Sequence, residues 1–302
     1  MRPLDAPALD VGAIETAFDE HVSVLPAHDR ALAARTLERV RPPNWTLEWH
    51  LPWWLGHAFG LAPAISLQIV ASNVLGLVAT RLEDDLVDSE VAGNEVEAAQ
   101  RVSAALFGAA VDLYQPLFDA GAPFWAELDA TLTAWRASPR GSLAGRGAPL
   151  KVGARAICLL ADRAATWPQV ESCLDLALTA LARYDDLCDW EADLEAGRWN
   201  GLVASAAAAP QTFANRSRNR ASVLLALMTG PAASDGFGRV ATDAARAAAL
   251  AHGFGSTALA DHLAVVGARA AAQGLAVESH YVSAANRATE LIFGAALSGG
   301  TG

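Results

Sequence analysis

Residues Tyr184–Asn200 read Y-D-D-L-C-D-W-E-A-D-L-E-A-G-R-W-N, and three carboxylates recur in this stretch at a regular spacing. Asp185, Asp189 and Asp193 stand at i, i+4 and i+8, so on a helix each lies only about 40° around the axis from the one before. Like charges on one face repel one another, and the next cation comes after the helix end that Gly197 predicts. The pattern therefore indicates a site for a divalent hard cation such as Mg²⁺, which prefers carboxylate oxygens.

A second acidic cluster lies well upstream and reads D-D-x-x-D over Asp84, Asp85 and Asp88. On a helix, Asp84 or Asp85 shares a face with Asp88. An acidic helix face is ordinarily just solvated. Both clusters, however, end or interrupt strongly apolar helical patterns, where a solvated face is not expected. The two clusters together therefore favour cation binding.

The two motifs resemble those of the class I isoprenoid synthases, a superfamily that includes chain-elongating trans-prenyltransferases and class I terpene cyclases. The second motif of the cyclases is usually N-D-x-x-S-x-x-x-E, with its ligands at the same three offsets. This chain has aspartate at all three offsets, as the elongases do, while Gly197 and Asn200 resemble the cyclase pattern. The resemblance covers residues 45–295. It implies an all-α, single-domain helical bundle around a central apolar cavity.

The resemblance also implies the residues of the site. Two or three Mg²⁺ ions, with Mn²⁺ as an alternative, would be held by Asp84, Asp85, Asp88, Asp185, Asp189 and Asp193. The substrate would be an isoprenyl diphosphate, bound by Lys151, Arg155, Arg198, Asn200, Tyr281 and Arg287. Of these residues, the catalytic set is Asp84, Asp85 and Lys151. Arg140 and Arg146 are weaker candidates for the diphosphate.

Lysine usage supports one of these assignments. Of the 22 basic residues only Lys151 is a lysine, so arginine is the default cation of this chain. Lysine is a compact point charge that can reach one phosphate oxygen, which a planar guanidinium does not reproduce. The segment P-L-K-V-G around Lys151 resembles the Lys-Thr-Gly segment with which elongases hold diphosphate. The alternative is a surface lysine that begins a helix by chance.

Cyclases and elongases differ after the first motif. Elongases carry an Arg-Arg pair there, which serves a second diphosphate, whereas this chain reads S-E-V-A-G-N-E-V-E-A-A-Q-R after Asp88. We therefore expect a Mg²⁺-dependent class I terpene cyclase that ionises one linear allylic diphosphate of C15 to C25 and cyclises the carbocation. The alternatives are a trans-prenyltransferase that elongates polyprenyl diphosphates and, if the carboxylates are merely solvated, a non-catalytic helical binding protein. A head-to-head condensing enzyme and a membrane aromatic prenyltransferase fit less well.

Composition limits the partners and the compartment. A net charge of −11 argues against nucleic acid, because phosphate binding needs a basic surface. The odd number of cysteines (Cys158, Cys173 and Cys188), all in apolar helical patterns, indicates reduced core cysteines in a cytoplasmic protein. Residues 51–80 are nearly uncharged but contain several Pro, Gly and polar residues, so they predict a buried central helix and no integral membrane segment. The sequence leaves open whether the chain forms a homodimer.

The expected organisation is one domain over residues 1–302, with helices and a strap over 1–44 and a flexible tail over 297–302. Trp45, Trp49, Trp53 and Trp54 are interpreted as packing residues of the N-terminal strap. A Gly/Pro/Ser-rich stretch at 137–149 predicts a mobile loop. No strand or hairpin signal occurs. Helices are expected at 11–24, 28–40, 64–90, 93–120, 123–137, 150–164, 169–196, 211–229, 237–251, 256–272 and 275–296.

Overall fold

The structure, a computed structural model, describes residues 7–43, 45–88, 90–137, 145, 147–195, 200–202 and 231–298, with the backbone alone for Tyr281 and 284–298. None of the described residues lies in a β-strand, and most are helical. The prediction of an all-α protein is confirmed. The predicted helix at 211–229 and most of the predicted loop at 137–149 lie outside the described residues.

Among the described residues, 3-10 turns at Gly93–Glu95 and Ala164–Thr166 precede two of the helices. The helices are α1 (Val11–Val22), α2 (Ala27–Arg39), α3 (Thr46–Ala58), α4 (Pro63–Val87), α5 (Val96–Asp112), α6 (Pro123–Ala137), α7 (Leu150–Leu160), α8 (Trp167–Cys188), α9 (Trp190–Glu195), α10 (Ala232–Gly253) and α11 (Thr257–Ser298). The chain groups into two compact units. Unit 1 comprises Met1–Leu174 and Ala248–His262, and unit 2 comprises Asp175–Ala247 and Leu263–Gly302.

Helix α4 lies at the centre of unit 1 and packs against α1, α2, α3, α5 and α7. Its apolar side is buried along most of its length because apolar residues recur at helical spacing. By length and composition α4 is the one helix in the described part that could cross a membrane, but 56% of its apolar window is buried inside the protein. This burial is what a core helix requires, as the sequence predicted.

The tryptophan-rich segment forms a helix that the sequence analysis did not predict. Helix α3 contains it, and Trp49 is completely buried. The indole N–H of Trp49 donates to the carbonyl of Val40 at 2.7 Å, and that of Trp53 donates to Pro7 at the same distance. Their interpretation as packing residues is confirmed.

Residues 51–80 contain the end of α3, which no predicted helix covered, and most of α4, which begins one residue before the predicted start at 64. Helix α3 ends at Ala58, and Gly60 takes a positive φ of 75°, which suits glycine because it has no Cβ. Helix α4 then begins at Pro63, whose fixed φ and missing N–H fit the first turn of a helix. The two helices are therefore antiparallel neighbours: a Cβ added to Gly56 would collide with the side chain of Ser66.

Unit 2 has its own apolar core, formed by Ala180, Leu187, Leu202, Phe237, Val240, Ala244 and Ala270. Helices α8 and α10 approach closely at Gly236, where an added Cβ would lie 2.7 Å from Leu187. Trp190 packs against this core, as expected. Cys158 and Cys173 are buried free thiols, whereas Cys188 is exposed, so the prediction of three core cysteines is wrong for Cys188.

Helix α11 corrects the prediction of two C-terminal helices. It is continuous from Thr257 to Ser298 and passes through Gly274, where the sequence suggested a break. Gly274 lies where a Cβ would stand 3.2 Å from Phe237, so a close helix contact requires the small residue there. Residues 297–298 of the predicted tail belong to this helix, and 299–302 lie outside the described residues.

Candidate functional site

The first acidic cluster lies at the C-terminal end of α4. Asp84 and Asp85 fall in its last turn and Asp88 is its C-cap, while the last turn contains no basic residue. Carbonyl groups gather partial negative charge at this end of a helix, so carboxylates are unfavourable here. A bound cation would remove that penalty.

Asp85 already has cationic partners. Its carboxylate is buried and accepts hydrogen bonds from both terminal nitrogens of Arg39, at 2.6 and 3.3 Å. Arg81, one turn earlier on α4, forms an ion pair with it at 3.0 Å. Asp85 therefore fastens α2 to α4, and its predicted role as a metal ligand stays a prediction.

Asp84 and Asp88 are exposed one helical turn apart, with the Asp88 N–H donating to the Asp84 carbonyl at 2.8 Å. Desolvation by surrounding protein raises the pKa of Asp84 to about 6; Arg81 opposes this shift, while Asp88, Asp85 and Glu83 reinforce it. The raised pKa means that the ionised form of Asp84 is disfavoured at this position, although Arg81 stabilises it in part. A bound divalent cation would stabilise that ionised form.

The second acidic cluster crosses from α8 to α9. The Asp189 N–H donates to the Asp185 carbonyl at 2.9 Å and the Asp193 N–H to the Asp189 carbonyl at 2.9 Å, so the three aspartates occupy successive turns despite a bend at Asp189. Asp185 and Asp189 are exposed and Asp193 is half-buried. The predicted spacing on successive turns is confirmed for this cluster.

The adjacent aspartate of this motif has a different role. Asp186 is buried, and its Oδ2 accepts the backbone N–H of Gly201 at 2.8 Å. Asn200 is also buried; its side-chain nitrogen donates to the Asp186 carbonyl and to Oδ2 of Asp193, each at 2.9 Å. Asp186, Asn200 and Gly201 thus form a clasp that ties the chain after the motif to the helices that carry the aspartates.

The exposed aspartates of the two clusters carry the oxygen ligands that Mg²⁺ prefers, and they are arranged in pairs. Among the described residues, no group of three or more His, Cys, Asp or Glu side chains could hold a metal ion. Mg²⁺ is usually bound by only one or two carboxylates and completes its octahedron with water and substrate phosphates. Asp84 with Asp88, and Asp185 with Asp189, each offer two exposed carboxylates one turn apart. The donor sets therefore fit an ion that is shared with a diphosphate.

The two predicted cations of α7 lie one turn apart and are both engaged. Lys151 is largely buried, with its Nζ 3.6 Å from Oε1 of Glu171. Arg155 forms a bidentate ion pair with Glu127, and its guanidinium carbon lies 5.4 Å from the ring centroid of Trp167. Arg155 is thus fixed between α6 and α8, whereas the ion pair of Lys151 is long.

Several predicted contacts cannot be placed. Arg140, Arg146 and Arg198 lie outside the described residues, and for Tyr281 and Arg287 only the backbone is described. Asn200 was predicted to bind substrate, but its side-chain nitrogen is engaged in the clasp.

Three features escaped the sequence analysis: the neutralisation of Asp85 by Arg39, the clasp at Asp186, and the carboxyl of Glu48 on α3. The first two depend on partners 46 and 15 residues away in the chain. The sequence did contain a signal for Glu48, because it is an acid that lies between Trp45 and Trp49 in a largely apolar segment.

Comparison with protein-family models, with curated proteins and with solved structures finds no match for this chain.

Proposed function

We propose that this protein is a Mg²⁺-dependent class I terpene cyclase, which ionises a linear allylic isoprenyl diphosphate and cyclises the resulting carbocation. The observation that carries the proposal is the pairing of exposed carboxylates at the ends of two helices. Asp84 and Asp88 end the apolar α4, and Asp185 and Asp189 end α8. In each helix a neighbouring aspartate, Asp85 or Asp186, is buried and engaged by protein, whereas the paired carboxylates are exposed to solvent, where a ligand can approach them.

The charges support a cation-mediated substrate. A diphosphate is repelled by carboxylates unless positive charge intervenes. Mg²⁺ bound by these aspartates would neutralise the diphosphate and make it a better leaving group. Lys151 would contribute a further positive charge from the first turn of α7.

The reaction class rests on the absence of an Arg-Arg pair after Asp88. An elongase must hold a second diphosphate, and without such a pair we favour one substrate over two. The apolar interior of unit 1 is consistent with carbocation chemistry, because water would quench the cation.

The proposal is tested by incubating the protein with C10, C15, C20 and C25 allylic diphosphates, one at a time, with Mg²⁺ and with excess chelator. We expect metal-dependent release of inorganic diphosphate together with a cyclic hydrocarbon or alcohol, identified by gas chromatography and mass spectrometry. Asp84→Asn should abolish release, while the control Glu97→Gln, at a side chain 91% exposed, should not.

Two results would reject the proposal. Full activity in excess chelator would show that the reaction needs no metal ion. Release of diphosphate only when isopentenyl diphosphate is added, with a longer linear diphosphate as product, would identify an elongase.

A further inference from the structure

The carboxylate of Asp193 is held differently from those of the other two aspartates of the second acidic cluster. Asp185 and Asp189 are exposed, whereas Asp193 is half-buried and its Oδ2 accepts a hydrogen bond from the side-chain nitrogen of Asn200 at 2.9 Å. A side chain that is free to rotate loses conformational entropy when a ligand orders it. The fold already restricts Asp193, so less entropy is lost if this carboxylate binds an ion.

The amide of Asn200 has a defined orientation. Its side chain is buried, and the same nitrogen also donates to the backbone carbonyl of Asp186 at 2.9 Å, so both of its N–H groups are used. Both partners are acceptors, and a flipped amide would place its oxygen against two other oxygens. Asn200 therefore presents a donor to Asp193, and a donor stabilises the ionised carboxylate.

The backbone next to Asn200 is anchored as well. The Gly201 N–H donates to Oδ2 of Asp186 at 2.8 Å, and Asp186 is buried. A Cβ at Gly201 would lie 2.6 Å from that oxygen, so the approach requires glycine. The clasp of Asp186, Asn200 and Gly201 thus holds the donor in place against α8, the helix that ends at the second acidic cluster.

Asp193 also has a suitable partner for sharing an ion. Its N–H donates to the carbonyl of Asp189 at 2.9 Å, so the two aspartates lie on successive turns. Mg²⁺ is usually bound by only one or two carboxylates. Groups that hydrogen-bond a ligating carboxylate from outside fix its orientation, and their loss weakens metal binding. Asn200 stands in this relation to Asp193.

We propose that Asn200 is a positioning residue that holds the Asp193 carboxylate ready to bind Mg²⁺ together with Asp189, an inference that rests on the metal site of the proposed function. Asn200 acts through Asp193, because its side-chain nitrogen is directed at Asp186 and Asp193. This role takes the place of the direct substrate contact that the sequence predicted for Asn200.

The coupling between the clasp and the ion works in both directions. If the clasp raises the affinity for Mg²⁺, bound Mg²⁺ stabilises the clasp by the same factor. The Gly201 N–H reports on this, because its exchange with deuterium requires its hydrogen bond to Asp186 to open. Saturating Mg²⁺ should therefore slow the exchange of this amide by about 10- to 100-fold.

The first experiment measures the binding of Mg²⁺ and of Mn²⁺, each with inorganic diphosphate, by isothermal titration calorimetry on the full chain. We expect Asn200→Ala to bind either ion about 10- to 100-fold more weakly than wild type. Asn200→Ser should recover part of the loss, because a hydroxyl donates one hydrogen bond. Val240→Ala is the control: it opens a cavity in the core of unit 2 but removes no atom of the clasp, and its affinity should match wild type.

The second experiment follows hydrogen exchange at Gly201 by NMR, with and without Mg²⁺ and inorganic diphosphate. Wild type should show slower exchange when the ion is present. Asp193→Asn keeps the shape of the side chain but removes its charge, so Mg²⁺ should have little effect on exchange in this variant. This experiment decides the matter in wild type even if circular dichroism shows that Asn200→Ala does not fold.

The outcomes separate this inference from the proposed function. If folded Asn200→Ala binds the ions as tightly as wild type, or if Mg²⁺ leaves exchange at Gly201 unchanged, the inference is overturned and the proposed function stands. An equal loss of affinity in Val240→Ala would also overturn it, because the effect would then be one of general stability. If wild type binds neither ion, both proposals fail. If it binds the ions but turns over no allylic diphosphate, the proposed function alone fails.

Discussion

The side-chain nitrogen of Asn200 lies 2.9 Å from Oδ2 of Asp193, the last aspartate of the second cluster. The same nitrogen donates to the backbone carbonyl of Asp186, so one buried amide holds two parts of the motif at once. Asp193 is half-buried, while Asp185 and Asp189 are exposed. The clasp thus fixes the aspartate that is farthest along the motif.

Asn200→Ala should destabilise unit 2 by about 1–3 kcal/mol, because the carbonyl and the carboxylate lose their common donor. Urea unfolding followed by circular dichroism measures this change. Ser234→Ala is the control, since its hydroxyl donates to the Pro231 carbonyl at an exposed position. Equal stability of the two variants would mean that the clasp does not hold the motif.

Gly201 should tolerate no side chain while Asp186 is present. A Cβ at this position would lie 2.6 Å from Oδ2 of Asp186, closer than real contacts allow. Gly201→Ala should therefore cost about 1–3 kcal/mol through steric strain. In the Asp186→Ala background the same change should cost much less, because the colliding atom is gone. A double-mutant cycle measures this coupling, and additive effects would rule out the contact.

The neighbours Asp84 and Asp85 should respond in opposite ways to the same substitution. Asp85→Asn leaves Arg39 and Arg81 without their carboxylate and should lower the unfolding free energy by about 1–3 kcal/mol, since Arg39 is half exposed. Asp84→Asn removes a charge that is disfavoured at this position and should leave stability unchanged or slightly higher. Chemical denaturation of both variants at pH 7 provides the comparison. A larger loss for Asp84→Asn would reverse the assignment of roles.

Helix type and approximate position could be predicted from periodicity, and the helix expected at 123–137 matches α6 (Pro123–Ala137). The errors were the missed helix α3 and the break expected near Gly274. Gly274 does not end a helix, because its small size allows a close contact with Phe237. Only the tertiary neighbour distinguishes a glycine of this kind from one that ends a helix.

The acidic motifs could be recognised by their spacing, but the spacing did not show which aspartate of each motif is buried and which is exposed. D-D pairs occur at Asp84–Asp85 and at Asp185–Asp186, and in each pair the second aspartate is buried and the first is exposed. Adjacent residues on a helix point about 100° apart, so one face can meet solvent while the other meets protein. The partner of the buried aspartate, Arg39 for Asp85 and Gly201 for Asp186, comes from a distant chain segment that the local sequence does not specify.

The stability of wild type should fall as pH rises from about 4.5 to about 7, and Glu48 should account for part of that fall. Burial raises the folded-state pKa of Glu48 to about 7, above its unfolded value, so over this range the folded state binds more protons than the unfolded state. The contribution is fully present below the unfolded pKa and is lost as pH passes through the folded one. The loss should reach at most about 3 kcal/mol.

Glu48→Gln does not titrate, so it isolates this contribution from that of Asp84 and other acids. Thermal or urea unfolding of wild type and variant at several pH values gives the difference directly. The variant should be the more stable of the two above pH 7, and their curves should converge towards pH 4. A difference that does not change with pH would mean that the Glu48 pKa is ordinary.

Substitution of Lys151 can distinguish between two roles for this residue, binding of the diphosphate and a structural ion pair. Its Nζ lies 3.6 Å from Glu171, whose side chain is 45% exposed, and an ion pair of this length at a partly exposed position contributes little to stability. If the pair is its only purpose, Lys151→Ala and Glu171→Gln should behave alike. If Lys151 binds a diphosphate oxygen, only Lys151→Ala should impair turnover, through loss of a charge-assisted hydrogen bond of about 1.5–3 kcal/mol.

That loss corresponds to a roughly tenfold to hundredfold lower kcat/KM. Lys151→Arg should recover part of it, because a planar guanidinium does not reproduce the compact ammonium group. Steady-state kinetics of the three variants at saturating Mg²⁺ measure the difference, and urea unfolding shows whether stability changes in parallel. If Lys151→Ala stays within about twofold of wild type, a difference of only about 0.4 kcal/mol, the lysine does not bind the diphosphate and an arginine must do so. If Glu171→Gln loses as much activity as Lys151→Ala, the ion pair positions α7 and the effect of Lys151 is indirect.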